Sequence, residues 1–150
     1  MDRRRKSSWP SAERTGNVKK PSLLDSHAVL VYLKGEKGYE KVKSALAAAE
    51  KSGLPLLISE INVGEVCYTL LRAGLVGNLD DFLSLLFSLP IEPVPVDFDL
   101  ILDAARIKAG HALSYADAFA VATARRKGAA IITGDPEFKA VTSLVSVEWI

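Results

Sequence analysis

From Pro21 onward, short apolar runs alternate with stretches in which apolar residues recur at helical spacing. The runs are SLLD (22–25), LPLLIS (54–59), IEPVPVD (91–97), AAIITGD (129–135) and LVSVEWI (144–150). Each has strand length and most are bounded by turn formers, so they are expected to be strands. Between them lie six helical stretches with recognisable ends. One follows Asp25 through HAVLVYL, and an Ala-rich one covers about 38–51 and stops before Gly53. The third, 60–73, has Ser59 as its cap and Gly74 beyond it, and Asp80 or Asp81 opens a fourth that halts before Pro90. A fifth runs from about 98 to 109 behind Asp97, and the last covers about 115–127 between Ser114 and Gly128. Such alternation predicts an α/β domain with a mostly parallel sheet. Pro93 and Pro95 each remove a backbone donor from the third run, which is therefore expected at a sheet edge or frayed.

Composition narrows the class. A chain of 150 residues, 49% apolar and 25% charged, suits one globular domain. The single cysteine, Cys67, excludes an internal disulfide framework and any cysteine-based zinc site; it lies in an apolar helical stretch and is expected in the core. No apolar run is long enough to span a bilayer, and no apolar segment follows the opening MDRRRK as a secretory signal requires, so the expected location is cytoplasmic. The net charge of +1 hides an asymmetry. Residues 1–20 hold seven Lys/Arg against two Asp/Glu, a net of +5, and the remainder holds twelve against sixteen, a net of −4. The first twenty residues thus look like a disordered basic tail, either a solvated leader or an arm that attracts phosphates, and 21–150 is the folded domain.

Candidate chemistry lies in the acids. Asp25 ends the first run, Asp135 follows the fourth after a Thr-Gly step, Asp117 falls in the first turn of the last helix, and Glu65 lies about a turn and a half into the third. In an open parallel sheet, strand C-termini and the helix starts that follow them share one edge, where ligands bind. Four carboxylates gathered there repel one another, by about 4 kcal/mol per pair at about 4 Å and an effective dielectric near 20. A hard divalent cation such as Mg²⁺ or Mn²⁺ offsets that repulsion, because it prefers oxygen ligands. Each acid alone also has a plainer reading. Asp25 and Asp135 could be helix caps, the latter with Pro136 at the first helical position; Asp117 could complete a capping box with Ser114; Glu65 could be solvated. Glu60 competes with Glu65, but five residues turn a helix by about 140°, so both cannot face one site. The polar stripe Asn62, Glu65, Thr69 and Arg72 favours Glu65.

Taken together, LLDSHAVLVYL, SEINVGEVCYTLLR, LSYADAFAVATA and IITGDPEF resemble, in order and spacing, the four motifs of PIN-domain nucleases, and most closely those of VapC-type toxins. The resemblance covers 21–150. It implies a three-layer α/β/α fold around a five-stranded parallel sheet, RNA cleavage with Mg²⁺ or Mn²⁺, dimerisation, and neutralisation by a small VapB-like antitoxin. It also implies that Asp25, Glu65, Asp117 and Asp135 are the catalytic, metal-holding acids and that Thr133 supplies a supporting hydroxyl. A PIN-like module that only binds protein or RNA is the main alternative. A phosphoacceptor receiver domain fits less well, and a haloacid-dehalogenase-like phosphatase needs D-x-D where this chain has D-S-H.

Other residues carry less. His27 and His111 have no partner at metal spacing. Arg72 could meet an RNA phosphate or an acidic partner, or simply close its helix, and Arg125, Arg126 and Lys127 are expected to complement a helix C-terminus. The segment 75–89 is apolar almost all round, so Leu79, Phe82 and Leu86 are expected to contact a second chain, with packing inside one chain as the alternative.

Overall fold

Leu23 and Leu24, neighbours on the first strand, are buried in two different apolar clusters, as are Ile131 and Ile132 on the fourth. Side chains alternate across a strand, so a sheet whose strands are apolar at every position must be covered on both faces. The computed structural model describes residues 20–150 and shows that arrangement. The expected basic tail lies outside the described residues, apart from Lys20.

The elements run β1 (Ser22–Leu24), α1 (Ser26–Lys34), α2 (Tyr39–Ser52), β2 (Leu56–Ser59), α3 (Glu60–Arg72), α4 (Leu79–Leu86), β3 (Ile91–Val94), α5 (Phe98–Gly110), α6 (Tyr115–Lys127), β4 (Ala130–Thr133), a 3-10 turn (Pro136–Val141) and β5 (Val147–Trp149). The five strands form one sheet in the order β3-β2-β1-β4-β5, with every pairing parallel. Residues of α1 to α4 fill the cluster on one face, while α5, α6 and the 3-10 turn fill the other, giving three layers. Pro93 sits on β3, an edge strand, where a missing donor costs the ladder least. Cys67 is buried, as its apolar neighbours suggest.

The strand order positions the site. From β1 the chain winds outward through β2 to β3, then returns to lay β4 on the opposite side of β1. Winding reverses between β1 and β4, and at such a reversal the connections leave in opposite directions and open a crevice at the strand C-termini. Leu24 pairs with Ile132, so the next residues, Asp25 and Thr133, face each other across that crevice.

One expectation fails. Phe82 and Leu86 do not reach outward to another chain; they are 8% and 1% exposed and belong to the cluster that also holds Leu70 and Ile91. Residues 82 and 86 lie one helical turn apart, so they form a single inward stripe. Leu79 and Leu85 remain exposed, at 37% and 64%. The helix also ends at Leu86, short of Pro90, because Ser88 turns back and its hydroxyl donates to the Leu85 carbonyl.

Candidate metal centre

Asp25 leaves β1 and caps α1, its side chain accepting the Ala28 N–H at 2.8 Å. Its second oxygen accepts the Thr133 hydroxyl, and that hydroxyl accepts the Asp135 N–H at 3.0 Å. Thr133 therefore couples the carboxylate at the end of β1 to the backbone that presents Asp135. Asp135 caps the 3-10 turn, accepting the Glu137 N–H at 2.9 Å, with Pro136 at the first position as expected. The capping readings of Asp25 and Asp135 are correct, and capping is what aims both carboxylates along the same edge.

The capping box expected at α6 forms only by half. Ser114 accepts the Asp117 N–H at 3.1 Å, but the Ser114 N–H donates to Glu137 across 23 residues rather than to Asp117. Glu137 takes the place the box reserves for the acid of its own helix, and the Asp117 carboxyl turns inward, 6% exposed. One oxygen from each of Asp117, Asp135 and Glu137 lies within 4.8 Å of the others. Glu137 was missed in reading the sequence; its signal was the Asp-Pro-Glu spacing, which puts two acids into one tight turn.

Glu65, half-buried on α3, lies near enough to Asp25 for its charge to act there, whereas Glu60 is exposed. Burial, opposed by the bonds from Thr133 and Ala28 and reinforced by the charges of Asp135 and Glu65, pushes the Asp25 carboxyl up to about 7. Asp117 is pushed up to about 8, first by burial, then by its hydrogen bond to Glu137 and the charges of Asp25 and Asp135. Glu137 is held below the usual glutamate range by that same bond and by the Ser114 N–H. Of the two hydrogen-bonded carboxyls, Asp117 is the one pushed toward the protonated form and Glu137 toward the ionised one. All four acids selected in the sequence share one electrostatic environment, and Glu137 is a fifth.

The remaining candidates settle elsewhere or at the margin. His27 accepts the Gly134 N–H at its Nδ1 (3.2 Å), and a Cβ on Gly134 would come 2.7 Å from the His27 ring, so only glycine fits between Thr133 and Asp135. His111 bonds the Ile107 carbonyl at the end of α5. Arg72 lies over the Tyr68 ring at 5.8 Å, and Arg126 pairs with Asp97 at 2.7 Å on the α5–α6 side.

The result is a crevice at a winding reversal, rimmed by carboxylates that β1, α3, α6 and the segment after β4 supply. The PIN domain family model matches residues 22–144. The chain belongs to the PIN domain family. PIN domains are nucleases. Among curated proteins none matches the chain. Among solved structures, a toxin–antitoxin complex from Klebsiella pneumoniae aligns with TM-score 0.62 at 19% identity, over 85% of this chain and 95% of that one. VapBC2 from Rickettsia felis, bound to a DNA fragment from its promoter, aligns with TM-score 0.63 at 18% identity, over 85% and 96%. PAE2754 from Pyrobaculum aerophilum aligns with TM-score 0.60 at 19% identity, over 85% and 90%. At these identities the likeness speaks for the fold.

The acids of this PIN domain suit a hard cation. Among the described residues, no Lys or Arg forms an ion pair with Asp25, Glu65, Asp117, Asp135 or Glu137, although the charge of Lys108 acts on Glu137; the ion pairs lie at Lys34–Glu36 and around Arg126 and Arg106. Burial without a cation partner favours the protonated carboxyl, the direction in which Asp25 and Asp117 are both pushed. All five donors are carboxylate oxygens, the ligand type that Mg²⁺ and Mn²⁺ prefer.

Proposed function

We propose that this PIN domain is a Mg²⁺- or Mn²⁺-dependent endoribonuclease and the toxin of a toxin–antitoxin pair. The observation that carries the reading is the meeting of Asp25, Asp117, Asp135 and Glu137, with Glu65 near Asp25, in a crevice where no Lys or Arg among the described residues forms an ion pair with them. Asp117, Asp135 and Glu137 would hold the cation, and Asp25 and Glu65 would complete its shell directly or through water. When bound, such an ion neutralises charge developing on a phosphodiester and lowers the pKa of a coordinated water. The chain's own residues prepare the ground. Thr133 fixes the rotamer of Asp25 by donating to it, Glu137 draws the Ser114 N–H away from Asp117, and the proton on Asp117 must leave before that carboxylate can ligate.

The solved structures that the chain resembles include a toxin–antitoxin complex and VapBC2, which supports a VapB-like antitoxin as the partner of this chain. Homodimerisation and action on RNA in the cytoplasm follow from the same reading. No helix among the described residues is long and apolar enough to cross a membrane. The decisive experiment is cleavage of a fluorogenic RNA by the purified chain with Mn²⁺, with and without EDTA. Cleavage that EDTA abolishes supports the enzyme. A chain that binds RNA or antitoxin yet never cuts is a binding module.

A further inference from the structure

The acids assigned to the cation ride on separate elements, and one buried amide ties three of their helix starts together. Asn62 lies in the first turn of α3 and is 0% exposed. Its Nδ2 donates to the Ser26 hydroxyl at the start of α1 (3.0 Å) and to the Ala116 carbonyl in the first turn of α6 (3.4 Å). The Ser26 hydroxyl, itself buried, donates back to the Asn62 carbonyl (3.4 Å). Each end of this bridge adjoins an acid: Asp25 precedes Ser26, Asp117 follows Ala116, and Glu65 lies about one turn along α3 from Asn62.

Stability alone gives a poor account of this asparagine. Its Oδ1 is buried with no partner among the described residues, and an unsatisfied buried acceptor is a cost that a leucine, branched at the same carbon, would avoid. What a leucine could not do is hold α1 and α6 at fixed distances from α3 through directional bonds. A cation shell assembled from several elements needs its carboxylates set to within fractions of an ångström, and groups one layer out supply that precision.

We propose that Asn62, acting with Ser26, is a positioning residue that sets the spacing of the Asp25, Glu65 and Asp117 carboxylates for a divalent cation. The proposal rests on the metal reading above, so its test includes a readout that needs no metal. Asn62→Leu and Ser26→Ala are prepared in the full chain. Mn²⁺ affinity is measured by calorimetry, the Tm of the metal-free protein by thermal melting, and hydrogen exchange at the Ala28 and Asp117 amides by NMR.

Both variants are expected to bind Mn²⁺ about 10–100-fold more weakly, while the metal-free Tm changes little. The Ala28 and Asp117 amides, whose acceptors are Asp25 and Ser114, should exchange faster in both. The double variant should bind no more weakly than Asn62→Leu alone, because the two side chains act as one unit. Wild-type Mn²⁺ affinity in both variants, with only a lowered Tm, would reduce Asn62 to a helix pin and overturn the proposal. If Asn62→Leu fails to fold, Ser26→Ala, which deletes a single hydroxyl, decides on the same readouts. If the wild-type chain binds no Mn²⁺, the metal reading falls and exchange decides alone: faster exchange at both amides upholds the positioning role, and unchanged rates sink it.

Discussion

Asp25 and Asp97 perform the same local task in opposite electrical surroundings. Each ends an extended segment, caps the helix that follows and accepts the N–H three residues on at 2.8 Å. Asp97 then meets Arg126, which arrives from the end of α6, and its carboxyl is held below the usual aspartate range, first by that hydrogen bond. Asp25 meets Thr133 and three other acids, and burial drives its carboxyl up to about 7. Among the described residues, an arginine pairs with one set of acids and no Lys or Arg forms an ion pair with the other. A cap is a property of a local segment. Whether it also serves as a metal ligand depends on what the sheet brings opposite.

The largest test separates the two regions by activity. Asp25→Asn, Glu65→Gln, Asp117→Asn and Asp135→Asn should each slow RNA cleavage by roughly 10²-fold or more under limiting Mn²⁺, since even groups one layer out from a metal are typically worth about 10–100-fold. Asp97→Asn should cut at the wild-type rate. Equal losses on the two sides would show that capping, and not ligation, is what these acids supply.

Metal linkage gives the next effect. A cation that binds only the folded chain adds about 2.7 kcal/mol at a hundred times its dissociation constant, a Tm rise on the order of 8 °C. Wild type and Asp97→Asn should show that rise in Mn²⁺, and Asp117→Asn much less of it. Identical shifts in all three proteins would signal a general salt effect.

The two regions should also answer pH with opposite sign. The folded-state values of Asp25 and Asp117, about 7 and 8, exceed the ordinary 3.8, so the folded chain holds protons that the unfolded chain releases. That contribution is complete below the unfolded value and is lost as pH rises through 7 to 8. In EDTA, therefore, the Tm should fall between pH 6 and pH 9, and Asp25→Asn should flatten the fall. Mn²⁺ should stabilise more at pH 8 than at pH 6, because it displaces those protons. A metal-free Tm that holds level or rises across this range would contradict the buried-acid account. Asp97 behaves the other way: its lowered value makes its contribution present above the unfolded value and lost at acid pH.

The smallest effect belongs to the balanced side. Asp97 and Arg126 are solvent-accessible, so Arg126→Ala should lower the Tm only slightly and leave Mn²⁺ affinity unchanged. A large loss of affinity would mean that the α5–α6 pairing transmits to the acids.

Much of this was legible along the chain. Apolar runs at strand length, Ser59 and Ser114 as caps and Gly53 and Gly128 as stops located every major element, because capping and periodicity are chemistry between near neighbours. The same locality placed Asp25 and Asp135 at strand ends and chose Glu65 over Glu60. Tertiary structure decided what no local pattern encodes. The reversal of winding between β1 and β4 set Thr133 against Asp25. Glu137, 23 residues from Ser114, displaced Asp117 from its capping box. Phe82 and Leu86 turned inward because α4 lies over an apolar sheet face that the sequence could not show as waiting for them. Caps and periods are fixed by bonds spanning three or four residues. The electrical character of a carboxylate depends on charges and burial contributed from a hundred residues away, and only the folded chain brings those together.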